Sequence, residues 1–207
     1  MNEEQAVLNF FAETENLSLA LSVGEQVDQI RQNLNNEFWL LLNNKIHSLF
    51  AEWTSKVTED RNNANCLVGL NLRPQGEQNL FLQPMMEQQV SSNGLRIYFG
   101  LMWSSAPTND KTNLAEVLIL RDALLRDGYK SNESFLAWQW TQLHPRSKDF
   151  LLGFTSQREE MLDRSAKHLS ELMNKHADDI CSANHVLATT PQSTAISLTS
   201  LRKNIPD

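Results

Sequence analysis

An α+β fold, with helices packed on a small and mainly antiparallel sheet, is what this chain of 207 residues predicts. Three observations point there. A long stretch near the start repeats its apolar residues every three or four positions, the spacing of an amphipathic helix. Short runs with β-branched, aromatic or alternating apolar residues follow, bounded by Gly, Pro and Asn, and these read as strands. Helical spacing returns in the middle and near the end. The expected sheet is a three-strand meander plus a fourth strand, packed by a long N-terminal helix, a middle helix and a C-terminal helix.

A short helix is expected over residues 3–12, with "ETEN" (13–16) as its turn. In the long helix, Val23, Val27, Ile30, Leu34, Phe38 and Leu41 form the stripe. Leu42, Ile46, Leu49 and Trp53 continue it, so the spacing predicts helix from Leu19 to Val57. Gly24 costs such a helix about 1 kcal/mol relative to Ala and marks a bend or break. "EDRNNAN" (59–65) is a polar breaker. The strands are then "CLVGLNLRP" (66–74), "NLFLQPMM" (79–86) and "GLRIYFGLMW" (94–103). In the third, Leu95, Ile97, Phe99, Leu101 and Trp103 share one face, and Arg96 and Tyr98 the other. Pro84 offers no N–H to a ladder, which places the second strand at an edge or ends it there.

"SSAPTNDKTN" (104–113) reads as a loop, and Leu114, Val117, Leu118, Leu124 and Leu125 as the middle helix, closed by Gly128. "FLAWQWTQL" (135–143) is the fourth strand, with Trp138 and Trp140 on one face. Ser156 and Glu159 have the spacing of a capping box for the C-terminal helix, which carries Leu162, Ala166, Leu169, Met173 and Ile180. The chain divides into a helical segment (1–58) packing on an α+β domain (59–187), and a flexible Ser/Thr-rich tail (188–207).

Composition narrows the function classes. With 18 Lys and Arg against 25 Asp and Glu, the net charge is −7 and no polybasic stretch exists, which disfavours direct nucleic-acid binding. The opening "MNEEQAVLNFF" lacks the basic start of a signal peptide, and no apolar run approaches the ~18 residues of a membrane span. Cys66 and Cys181 lie far apart and fit no disulfide framework. A cytoplasmic protein with reduced thiols is expected.

Motifs for phosphate loops, dinucleotide binding, zinc proteases and serine hydrolases are absent from the sequence. The best metal candidate is Asp178, Cys181 and His185, spaced i, i+3, i+7 on one helix face with His176 and Asp179 near. A polar helix end is the plainer reading, so no metal, cofactor or catalytic residue is expected. Cys66, inside "CLVGL", reads as a small hydrophobe, and no spacing pairs either cysteine with His47, His144 or His168. Five tryptophans remain. Trp103 and Trp140 read as core, whereas Trp39, Trp53 and Trp138 are the expected partner-binding residues. Phe38 is in phase with the helical stripe, and Trp39 lies about 100° off it, which predicts a partly exposed ring.

"ENLSLALSVGEQVDQIRQNLNNEFWLLL" (15–42), followed by "LRIYFGLMW", a helix ending "LLRDGY" and "WQW", resembles the region downstream of the nuclease core in bacterial PD-(D/E)XK-type proteins. The resemblance spans about residues 15–145 and implies a restriction or phage-defence setting. It carries over no catalytic residue. That chemistry needs [D/E]-x-K, and the residues two places before the lysines are Asn43, Thr54, Asn109, Gly128, Arg146, Ser165, Met173 and Leu201, none of them acidic.

The expected function is therefore a non-catalytic protein-binding module, an accessory or regulatory subunit in a bacterial or phage conflict system. Its expected partner is another protein, and the N-terminal helix is the expected route to any oligomer. Two alternatives stand beside it. One is an acidic inhibitor or immunity protein acting on a nucleic-acid-handling partner, and the other a metal-dependent hydrolase whose site assembles from distant residues.

Overall fold

The computed structural model describes residues 2–76, 80–92 and 94–190, so the expected tail lies outside the described residues from 191 onward. Two helices open the chain, α1 (Glu3–Ala12) and α2 (Thr14–Leu49). Asn2 starts the first, its Oδ1 accepting from the Glu4 N–H at 3.3 Å. Only Glu13 separates the two, so the expected four-residue turn shrinks to one. Asn16 steadies the joint by donating from Nδ2 to the Phe10 carbonyl at 3.0 Å. The helix runs through Gly24 unbroken, against expectation, because the apolar repeat resumes on its far side and tertiary packing anchors the later turns.

α2 ends at Leu49, not Val57, and Trp53 instead opens strand β1 (Trp53–Asp60). Trp53 and Val57 are four apart, which suits a helix face, yet positions four apart also share one face of a strand. The β-branched Thr54, Val57 and Thr58 tip the balance toward the extended form. The boundary at residue 58 therefore falls inside a strand. The remaining strands are β2 (Asn63–Pro74), β3 (Leu82–Ser91), β4 (Gly94–Trp103) and β5 (Phe135–Trp140). Together they form one antiparallel sheet in the order β1-β2-β3-β4-β5, so the sheet has five strands rather than the expected four. β3 lies inside this sheet despite Pro84. Its ladder to β2 stops at Asn71–Met85, and the missing N–H falls just beyond that last pair.

A short turn of helix, α3 (Asn109–Thr112), sits in the expected loop and leads to α4 (Ala115–Arg126). Gly128, at φ +86°, closes α4 as expected. Its N–H bonds the Leu125 carbonyl at 3.0 Å and that of Tyr129 bonds Leu124 at 3.1 Å, the two bonds of a Schellman closure. The sequence left α5 (Lys148–Ser156) unassigned, although Ser147 caps it by accepting from the Phe150 N–H at 3.2 Å. Ser156 is the last residue of α5, its Oγ donating to Leu152 O at 2.7 Å. The expected capping box is thus not formed, and α6 (Arg158–Thr189) begins without a side-chain cap.

The core lies between the helices and one sheet face. Phe38, Leu42 and Ile46 of α2 and Leu169, Leu172 and Ile180 of α6 join Leu70, Leu72, Ile97, Phe99, Leu101 and Trp103 there. Ion pairs tie α2 to α6: Lys45 to Asp163 at 2.6 Å and Glu159 at 3.4 Å, and Arg158 to Glu37 at 2.9 Å. Buried Asn184 of α6 accepts at Oδ1 from the N–H groups of Phe81 and Leu82, at 2.8 and 2.9 Å, and donates from Nδ2 to Leu82 O at 3.0 Å. The other sheet face holds a second cluster of Met85, Tyr98, Met102, Phe135 and Trp138.

Candidate functional site

Amide side chains decide where α2 joins the body. Asn35 donates from Nδ2 to Leu67 O at 2.9 Å, and Asn36 brackets the same strand, accepting from Leu67 N–H at 2.8 Å and donating to Asn65 O at 2.6 Å. One turn earlier, Gln32 also reaches Asn65 O, at 3.1 Å. Ahead of these four bonds the helix leaves the body. α1 has no buried residue, and α2 has none before Asn35. Residues 14–34 alone extend about 30 Å at the helical rise of 1.5 Å per residue.

This arm is apolar where a solvated helix would be polar. Val7, Leu8, Phe10, Phe11, Leu17, Leu19, Leu21, Val23 and Ile30 are all exposed, Leu19 and Leu21 by 60%. Elsewhere among the described residues, exposed large apolar side chains such as Val90, Ile119 and Leu152 are scattered through the chain, which is ordinary for a protein surface. On the arm they are concentrated instead, nine of them falling between Val7 and Ile30. The sequence held the signal, since the stripe begins long before Phe38, but gave no reason to think the body would stop short of it.

The residues expected to bind a partner lie elsewhere. Trp39 is 0% exposed, which corrects its expected exposure. The body meets α2 along the line of Asn35, Phe38, Trp39, Leu42 and Ile46, which is rotated from the Val23–Ile30 stripe, so Trp39 points inward. Its indole Nε1–H donates to Gln88 Oε1 at 3.1 Å, and Phe38 meets it edge-on with centroids 5.2 Å apart. Trp53 is buried with the main core, and Trp138 with the second cluster, where Lys130 lies over its ring. As the structure stands, none of the three offers its ring to another chain.

Asp178, Cys181 and His185 are all exposed on α6, and among the described residues no group of three metal-ligating side chains is gathered. Cys66 is buried, and its Sγ accepts from the Arg146 guanidinium. Arg146 sits at φ +64° in the turn before α5.

A second, polar place lies between α6 and the end of α4, a cleft of about 720 Å³ lined by Phe99, Asp127, Tyr129, Gln139, His168, Glu171 and His176. Asp127 accepts from Lys175 and lies 2.8 Å from Nε2 of the buried His176. The Lys175 hydrogen bond, then that of His176, hold its carboxyl below the usual range. His168 leans on Phe99, centroids 4.8 Å apart, and burial pushes its pKa down, keeping it neutral at pH 7. Burial, reinforced by Asp127 and Glu171, pushes the Tyr129 phenol up, so it stays protonated. A carboxylate-oriented histidine resembles part of a catalytic triad, but Nδ1 of His176 faces Asp179 at 3.8 Å and the lining includes no Ser, Thr or Cys. The cluster bolts the end of α4 to α6.

No helix among the described residues is long and apolar enough to cross a membrane. No family model, curated protein or solved structure matches the chain.

Proposed function

We propose that the chain is a non-catalytic protein-binding module that docks another protein on its helical arm. The observation that carries this reading is the run of nine exposed apolar side chains between Val7 and Ile30, outside the packed body. Burying apolar surface yields about 25 cal/mol per Å², and nothing in the body uses that energy. The role of accessory or regulatory subunit in a cytoplasmic bacterial or phage conflict system rests on the resemblance of residues 15–145 and on the missing [D/E]-x-K element. An inhibitor or immunity protein is the second reading, favoured by the chain's net charge of −7. The scattered exposure of Asp178, Cys181 and His185 weighs against the hydrolase.

The test compares the full chain with a Leu19→Ser, Val23→Ser, Ile30→Ser variant as bait in extracts of the native host. The variant is expected to keep the wild-type melting temperature and lose the protein that co-purifies with the wild type, which is then reconstituted from pure components. Equal recovery on both baits would overturn the reading.

A further inference from the structure

The arm is acidic as well as apolar. Glu3, Glu4, Glu13, Glu15, Glu25 and Asp28 lie on it, and no Lys or Arg precedes Arg31. Arg31 is itself engaged by Asp28 at 3.4 Å. Six carboxylates against one guanidinium give residues 2–34 a net charge of −5 out of the chain's −7, leaving −2 for all the rest. Charge and exposed apolar surface are thus concentrated on the same helices, and the body is close to neutral.

Resting on the reading of the arm as a docking device, we infer that its occupant is an apolar segment flanked by Lys and Arg, belonging to a different protein. A second copy of this chain is the competing occupant. Two arms laid together would double the net charge of −5 along one helix pair, with no basic residue before Arg31 to offset it. The screening length at physiological salt is about 8 Å, close to the ~10 Å width of a helix, so carboxylates facing one another across such a pair are only partly screened. A basic rim reverses the sign. It speeds encounter and makes binding salt-dependent. Exposed ion pairs contribute only about 0–1 kcal/mol each, so the apolar contacts hold the complex and the carboxylates select which chain forms it.

The experiment uses the full chain and two labelled helical peptides with one leucine pattern, the polar positions filled by lysine in one and by glutamate in the other. Fluorescence anisotropy is read at low and high salt, and sedimentation of the chain alone is measured over a wide concentration range. The expected result is a monomer that binds the Leu/Lys peptide at least about tenfold more tightly than Leu/Glu, with the gap closing at high salt. Leu19→Ser, Val23→Ser, Ile30→Ser should abolish binding. Glu13→Gln, Glu15→Gln, Glu25→Gln, Asp28→Asn should weaken the Leu/Lys complex and leave the fold intact. A dimer dissociated by Val23→Ser would overturn the inference in favour of a second copy. Equal binding of both peptides, lost in the apolar variant, would overturn it and leave the docking arm standing. Absence of Leu/Lys binding, or binding indifferent to the apolar variant, would also overturn it.

Discussion

Trp39 shows how one ring can carry both packing and polarity. Its indole is wholly buried and its N–H is bonded to Gln88. Trp39→Ala is expected to cost about 3–5 kcal/mol, and Trp39→Phe, which keeps most of the volume, about 1–3 kcal/mol, since packing is partly kept while the hydrogen bond is lost. Urea midpoints for the two variants check the order. Gly100 is as constrained as any large side chain, because a Cβ there would lie 2.1 Å from the Ala137 carbonyl of β5. Gly100→Ala is expected to pry β4 from β5 and leave no cooperative unfolding transition near the wild-type temperature. Titrating residues set the acid limit. The folded Asp127 carboxyl is held below its ordinary 3.8, chiefly by Lys175, so this pairing stabilises fully above that pH and is lost as pH falls through the lowered value. His168, lowered from 6.5 by burial, acts in the same direction at higher pH, because acid favours the unfolded chain that can take up the proton. Asp127→Asn should therefore lower the melting temperature at neutral pH and converge on wild type well below pH 3.8.

Elements were legible in the sequence wherever one period ruled for long enough. The strand Gly94–Trp103 and its two faces follow from strict alternation, and the close of α4 follows from Gly128. β1 was hidden because Trp53 and Val57 satisfy both periods, and α5 because a nine-residue helix between turns shows only about two and a half turns of pattern. The candidate site was half legible. The apolar stripe of α2 was plain, but which part of it the body covers depends on the amides of Gln32, Asn35 and Asn36 meeting β2, a long-range fact without a local signature. That boundary has a measurable consequence. Nothing lies within 4 Å of a Cβ placed at Gly24, so Gly24→Ala should gain up to about 1 kcal/mol of local helix stability. The gain should appear as stronger helical circular dichroism, with the global unfolding midpoint almost unchanged, because the arm has no residue buried against the body.

At the scale of the whole molecule, a nearly neutral body holds out a charged, greasy arm. Such a division separates what keeps the protein folded from what it offers to others. Substitutions on the arm should change solubility and association without changing stability, and those at Phe38 or Leu169 should do the reverse. Dynamic light scattering and thermal melts on the same variants check this. Wild type should aggregate with rising salt, which screens the carboxylates while the apolar surface remains, and the Leu19→Ser, Val23→Ser, Ile30→Ser variant should not.

The sheet order has a further consequence, in time rather than space. Neighbours in the sheet are neighbours in the chain, so β1 to β4 pair across short connections and only β5 waits for the α3–α4 segment. α6 is different, because Asn184 reaches back across 102 residues to Leu82. The meander should therefore form early and the last helix clasp it afterwards. Asn184→Ala is then expected to speed unfolding while leaving the refolding rate almost untouched, a φ-value near zero, whereas Ile97→Val should slow refolding. A stopped-flow chevron on each variant reads the sequence of events, and Asn184 is where the molecule locks.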